Sequence, residues 1–133
     1  MKNKSIIAVI AFLLFTSVFV KAEPAQSFDG ITNAIRSGNA SALAANFQGN
    51  VEVTIKDASG SYSKTQAEVV LKNFFAQHTP KSFSIAHEGT SPEGSNKYII
   101  GNLSTSAGNY RVYVYAKITG GSLAIQEVRF EEQ

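Results

Sequence analysis

The chain has 133 residues, 44% of them hydrophobic and 17% charged, with twelve Lys and Arg against ten Asp and Glu for a formal charge of +2. It has no cysteine, which excludes disulfides, thiolate metal sites, a cysteine nucleophile and lipid attachment at a cysteine. With only two histidines, His78 and His87, on different predicted elements, a zinc site of three or four protein ligands has little support.

Residues 1–22 carry Lys2 and Lys4, then an uncharged run from 6 to 20, then Val20-Lys21-Ala22. A positive start, a short apolar stretch and a small residue at the cut site make an export signal, with cleavage expected after Ala22 and a periplasmic or extracellular destination. The apolar run falls short of the roughly 20 residues that a membrane-crossing helix needs, and Glu23-Pro24 breaks any helix that follows, so no stable membrane insertion is expected. Removing Lys2, Lys4 and Lys21 leaves nine basic residues against ten acidic ones. The exported chain is then near neutral, which removes the electrostatic ground for a nucleic-acid partner. Residues 23–133 suffice for one domain and one core, held by apolar burial alone.

Phe28, Ile31, Ala34 and Ile35 recur at spacings of three and four after Ser27, predicting a short helix that Gly38 ends. Asn39 caps a second helix over 40–47, with Leu43 and Phe47 on one face. Val51, Val53 and Ile55 alternate with polar residues as a half-buried strand does, and after a turn over 57–61 Tyr62 opens a short return strand. Ser63 with Gln66 is a capping box for a third helix, whose stripe is Ala67, Val70, Leu71, Phe74 and Phe75 and which Thr79-Pro80 closes. His78 sits where a cation complements the end of that helix.

After Pro80 the pattern turns to strands. Phe83, Ile85 and His87 share one parity, a turn spans 90–96, and a second strand runs over 98–105 with Gly101 as a bend. Tyr110, Val112, Val114, Ala116 and Ile118 then alternate with Arg111, Tyr113, Tyr115 and Lys117. Gly120-Gly121 reverses the chain once more. In the last strand Leu123 and Ile125 have one parity and Val128 and Phe130 the other, which places a β-bulge at Gln126 or Glu127. The expected fold is therefore α+β: helix, helix, hairpin, helix, then a four-stranded antiparallel meander whose curved sheet wraps the long third helix and encloses a cone-shaped pocket.

Several stretches carry a family likeness: residues 34–39 (AIRSGN), 51–55 (VEVTI), Tyr62-Ser63-Lys64 with Gln66-Ala67-Glu68 and Phe74-Phe75, Pro80-Lys81-Ser82-Phe83, His87-Glu88-Gly89 and Tyr110-Arg111-Val112-Tyr113. With this element order the chain resembles the nuclear transport factor two-like (cystatin-like) superfamily and, over about 29–131, the exported bacterial family called domain of unknown function 4783. The resemblance implies the cone-like fold and export. It brings no activity, no catalytic residue and no cofactor.

Enzymes of that superfamily use an Asp or Glu base, often beside His or Tyr, pointing into the cone. The candidate pocket here is His87, Tyr110 and Glu127, with His87 also readable as a hydrogen-bonded structural histidine at the end of a sheet. No Gly-x-Ser-x-Gly elbow, phosphate loop or dinucleotide fingerprint occurs, and residues 57–60 lack the remaining ligands of a calcium loop. Asn39-Ala40-Ser41 and Asn102-Leu103-Ser104 match glycosylation sequons, which matter only in a eukaryotic secretory host. Arg111, Tyr113, Tyr115 and Lys117 form an aromatic and basic stripe, a candidate interface for a protein partner or a homodimer. The leading expectation is a non-catalytic exported binding module for a small apolar ligand or an envelope protein. A small-molecule isomerase, dehydratase or hydrolase built on His87 is the first alternative; a structural envelope protein with a filled cavity is the second.

Overall fold

The computed structural model describes residues 27–133, so the expected export signal lies outside the described residues. Helix α1 (Asp29–Ser37) buries Ile31, Thr32, Ala34 and Ile35. It ends where Gly38 takes a left-handed φ of 66°, letting the Gly38 and Asn39 amides donate to Ile35 O at 3.1 Å and Ala34 O at 2.8 Å. The Asn39 side chain then accepts from the Ala42 amide at 3.0 Å and starts α2 (Ala40–Ala44). That helix is shorter than the spacing of Leu43 and Phe47 predicts. Phe47 instead opens strand β1 (Phe47–Ile55), drawn there by the Ile125 amide, which donates to Asn46 O at 2.8 Å.

Strand β2 (Ala58–Tyr62) returns along β1 and leads into α3 (Lys64–Gln77). Ser63 and Gln66 close the reciprocal capping box at 3.3 and 3.2 Å. Four strands follow: β3 (Pro80–Thr90), β4 (Asn96–Thr105), β5 (Gly108–Thr119) and β6 (Ser122–Glu132).

The assembly of these strands corrects the expected fold class. The sheet has six strands in the order β2-β1-β6-β5-β4-β3, and it is mixed rather than antiparallel, because β1 runs parallel to β6 with Val53 opposite Val128 and Ile55 opposite Phe130. It is not a four-stranded meander curved tightly around a helix; the sheet is not strongly curled. The physical cause is the hairpin. Two strands alone are marginal in water, and β1 buries Val51 and Val53, so it completes its backbone pairing on the free edge of β6.

This arrangement puts β2 and β3 at opposite edges, and α3, which joins them, has to cross the sheet. Its 14 residues span about 21 Å at ~1.5 Å each, and six strands spread over roughly 24 Å at ~4.8 Å spacing. Helix length and sheet width match, so α3 lies on a broad surface. Where it lies the interior is aromatic: the Phe74 ring is 5.6 Å from Phe75, 5.3 Å from Tyr110 and 4.6 Å from Phe130, and stacks on His78 at 4.4 Å.

Candidate functional site

Alternation along β5 sorts the candidate residues onto two faces. Tyr110, Val112, Val114 and Ala116 are buried beneath the helices, while Arg111, Tyr113, Tyr115 and Lys117 stand on the opposite, outer face. On β6, Tyr115 pairs with Glu127 and Ala116 with Ile125, so Gln126 is the extra residue of a bulge and Glu127 turns outward. A second bulge interrupts β3: Ile85 is opposite Gly101 and His87 opposite Ile100, leaving Ala86 as the extra residue. His87 therefore leaves the face of Phe83 and is exposed on the outer side.

The candidate pocket is thereby divided. Tyr110 is fully buried on the inner face; His87 and Glu127 lie on the outer one, on strands separated by β4 and β5. Three strand spacings amount to about 14 Å, far outside hydrogen-bond reach for a proton-transfer pair. Glu127 instead forms an ion pair with Arg129, its Oε1 3.6 Å from Nε, and Arg129 Nη2 pairs with Glu131 Oε1 at 2.9 Å. The expected cone-shaped pocket is filled where α3 crosses, by Phe74, Phe75, Tyr110 and Phe130. Tyr110 Oη is buried there without a hydrogen-bond partner among the described residues, and Thr32 Oγ1 is likewise buried without one.

The candidate interface residues are brought together, and with neighbours the sequence reading missed. Tyr98 lies directly opposite Tyr115, which lies opposite Glu127, which lies opposite Glu52. The adjacent row is His87, Ile100, Tyr113, Arg129 and Thr54. Arg129 holds its guanidinium 5.7 Å over the Tyr113 ring. At the hairpin end of this face, Lys56, Asp57, Arg129 and Glu131 border a polar depression of about 560 Å³.

Residues 28–131 match the family model described as Domain of unknown function (DUF4783). The chain belongs to the DUF4783 family. A DUF4783 protein from Bacteroides uniformis is 27% identical, with a TM-score of 0.73 over 78% of this chain and 94% of that one. A second, from Bacteroides ovatus, is 22% identical with a TM-score of 0.76 over 81% and 96%. An NTF-2 like protein of unknown function from Silicibacter pomeroyi, 13% identical with a TM-score of 0.59 over 78% and 87%, shares the fold. That last likeness shows the fold alone: this DUF4783 chain folds like an NTF-2 like protein. No curated protein matches it.

Among the described residues of this DUF4783 domain, no group of three or more His, Asp or Glu is placed to hold a metal ion, and no helix is long and apolar enough to cross a membrane. Tyr98 and Ile100 carried a readable signal. They alternate with Ile99, Gly101 and Leu103, which are buried, so their parity alone assigns them to the face of Tyr113 and Tyr115. Arg129 and Glu131 were readable in the same way, since they alternate with the buried Val128 and Phe130; Glu52 and Thr54 were not, because their place beside β6 follows from the pairing of β1 with β6.

Proposed function

We propose that this DUF4783 protein is an exported, non-catalytic interaction module that docks a protein partner on the outer face of its sheet. One observation carries the reading: Tyr98 and Tyr115 face each other across β4 and β5 at 39% and 41% exposure, beside Ile100 and Tyr113. Half-exposed tyrosines grouped with arginine are the composition of interface centres, where their apolar bodies are covered and their hydroxyls stay wet. Charge then defines the partner. Arg111 and Lys117 flank the tyrosines on β5 and call for acidic groups; Glu127 and Glu52, side by side on β6 and β1, call for a basic one. An envelope protein with an apolar centre and that charge pattern fits. The aromatic filling beneath α3 argues against the interior as a binding place for a small apolar ligand, and the separation of His87 from Glu127 argues against proton transfer. Export rests on the order of residues 1–22.

A photoreactive amino acid in place of Tyr115, in the cell that exports the protein, tests this. The expected result is one discrete adduct with a different protein, absent when the probe replaces Lys72 on α3. With that protein purified, Tyr115→Ala and Arg111→Glu should each abolish binding while the far-ultraviolet circular dichroism stays unchanged. Equal adducts from both probe positions, or adducts only between copies of this chain, would overturn the reading.

A further inference from the structure

The two edges of the sheet are finished differently. Strand β3 begins with Pro80 and Lys81, is broken by the bulge at Ala86, and has one carbonyl, Phe83 O, occupied by Arg36 Nη2 at 3.2 Å. Proline, charge, bulge and a covering side chain are the devices by which an edge strand is kept from pairing. Strand β2 has none of them: Ala-Ser-Gly-Ser-Tyr is uncharged, and its register with β1 runs unbroken from Val51 opposite Tyr62 to Ile55 opposite Ala58.

Hairpin geometry says which backbone groups that edge offers. Lys56 and Asp57 alone connect the strands, so Ile55 and Ala58 form a hydrogen-bonded pair and the pattern alternates from there. Ser59 and Ser61 consequently turn their N–H and C=O groups away from β1. Just above, α3 overhangs the edge and leaves an apolar depression of about 340 Å³ lined by Tyr62, Thr65, Gln66, Val69 and Val70. Val69 is 54% exposed there.

We infer that two copies of this chain pair antiparallel through their β2 edges, Ser59 of each against Ser61 of the other, joining the sheets and covering Val69. The edge is complementary to itself in three respects. This register satisfies the outward groups of both serines in both copies, and it sets Gly60 against Gly60 at a non-hydrogen-bonded position, where Cα atoms approach to about 4.5 Å. Each Tyr62 ring folds over its own Gly60, where an added Cβ would lie 2.7 Å from Cζ, so the two rings meet side by side over the axis. Finally, Asp57 of one copy comes beside Ser63 and Lys64 of the other. Helix α3 has no acidic residue in its first turn, and an anion from the second copy complements that helix start and the Lys64 ammonium.

Sedimentation equilibrium of the protein isolated from its exporting cell tests the pairing. The expected mass is twice that of one chain. Ser61→Pro removes an outward amide without touching the pairing to β1 and should halve the mass, as should Val69→Lys; Ser61→Ala should leave it doubled. Amide exchange at Ser59 and Ser61 should slow as the dimer fills with concentration. Because Val69 is an exposed helix position, Val69→Lys remains decisive should Ser61→Pro disturb folding. A single-chain mass at every concentration, or a doubled mass that survives both variants, would overturn the inference. Tyr115→Ala should leave this dimer intact, which separates it from partner docking on the outer face.

Discussion

Tyr110 and Tyr115 stand on one strand, and the odd interval between them puts them in different worlds. Tyr110 is fully buried in an aromatic cluster with Phe74 and His78, their rings 5.3 Å away in both cases. Tyr115 is 41% exposed, opposite another tyrosine and a glutamate. The same side chain thus serves packing on one face and is left available on the other. What differs is only strand parity and what covers each face. The inner face is where stability resides; the outer face is free to vary in chemistry, since its residues hold nothing beneath them together.

The sharpest way to break this contrast is from the inside. Phe74 touches Phe75, Tyr110, Phe130 and His78, so Phe74→Ala opens a hole that neighbours on both α3 and the sheet cannot all fill. A loss of about 3–5 kcal/mol is expected, measured by urea unfolding. A loss below about 1 kcal/mol, the scale of a surface change, would mean that the interior is loosely filled and would reopen it as a ligand site. A smaller effect is expected at Gly101. An added Cβ would lie 2.5 Å from the Phe83 ring and 2.8 Å from the Ser84 carbonyl oxygen, and the second of these is backbone that yields poorly. Gly101→Ala should cost about 1–3 kcal/mol in the same experiment, because Phe83 covers the glycine where β3 and β4 meet.

How far the sequence discloses these features depends on whether a buried residue marks them. The bulge at Gln126 is legible because Ile125 and Val128, both buried, change parity across it. The bulge at Ala86 is not, because no residue from 84 to 90 is buried, and without an apolar marker the run Phe83, Ile85, His87 reads as one face. That silent bulge is why His87 looks inward in sequence and stands outward in the structure. Helix boundaries written in caps, at Ser63 with Gln66 and at Gly38, are equally plain. The end of α2 is not, since Leu43 and Phe47 keep a helical spacing although a strand begins at Phe47. The pairing of β1 with β6 is hidden for another reason: it joins backbones more than 70 residues apart, Val53 to Val128, and alternation reports which face a strand buries but not which strand lies beside it. The outer stripe on β5 was legible because alternation alone defines it; its charged neighbour on β1, Glu52, was not, because its place depends on that pairing.

The finest test of the two-faced strand removes a single oxygen. Tyr110 Oη is buried without a hydrogen-bond partner among the described residues. A hydroxyl in that state costs on the order of 1–3 kcal/mol in lost hydration, which the ring's burial against Phe74 offsets. Tyr110→Phe keeps the ring and its contacts and deletes only the group that has no partner, so it should leave stability unchanged to within about 0.5 kcal/mol or raise it. Urea unfolding of the two proteins, compared at equal slope, reads the difference directly. A loss above about 1 kcal/mol, the net worth of one intramolecular hydrogen bond, would mean that the hydroxyl is engaged in solution. The inner face would then carry a polar function of its own, and the division of labour along β5 would fail at the residue that states it most plainly.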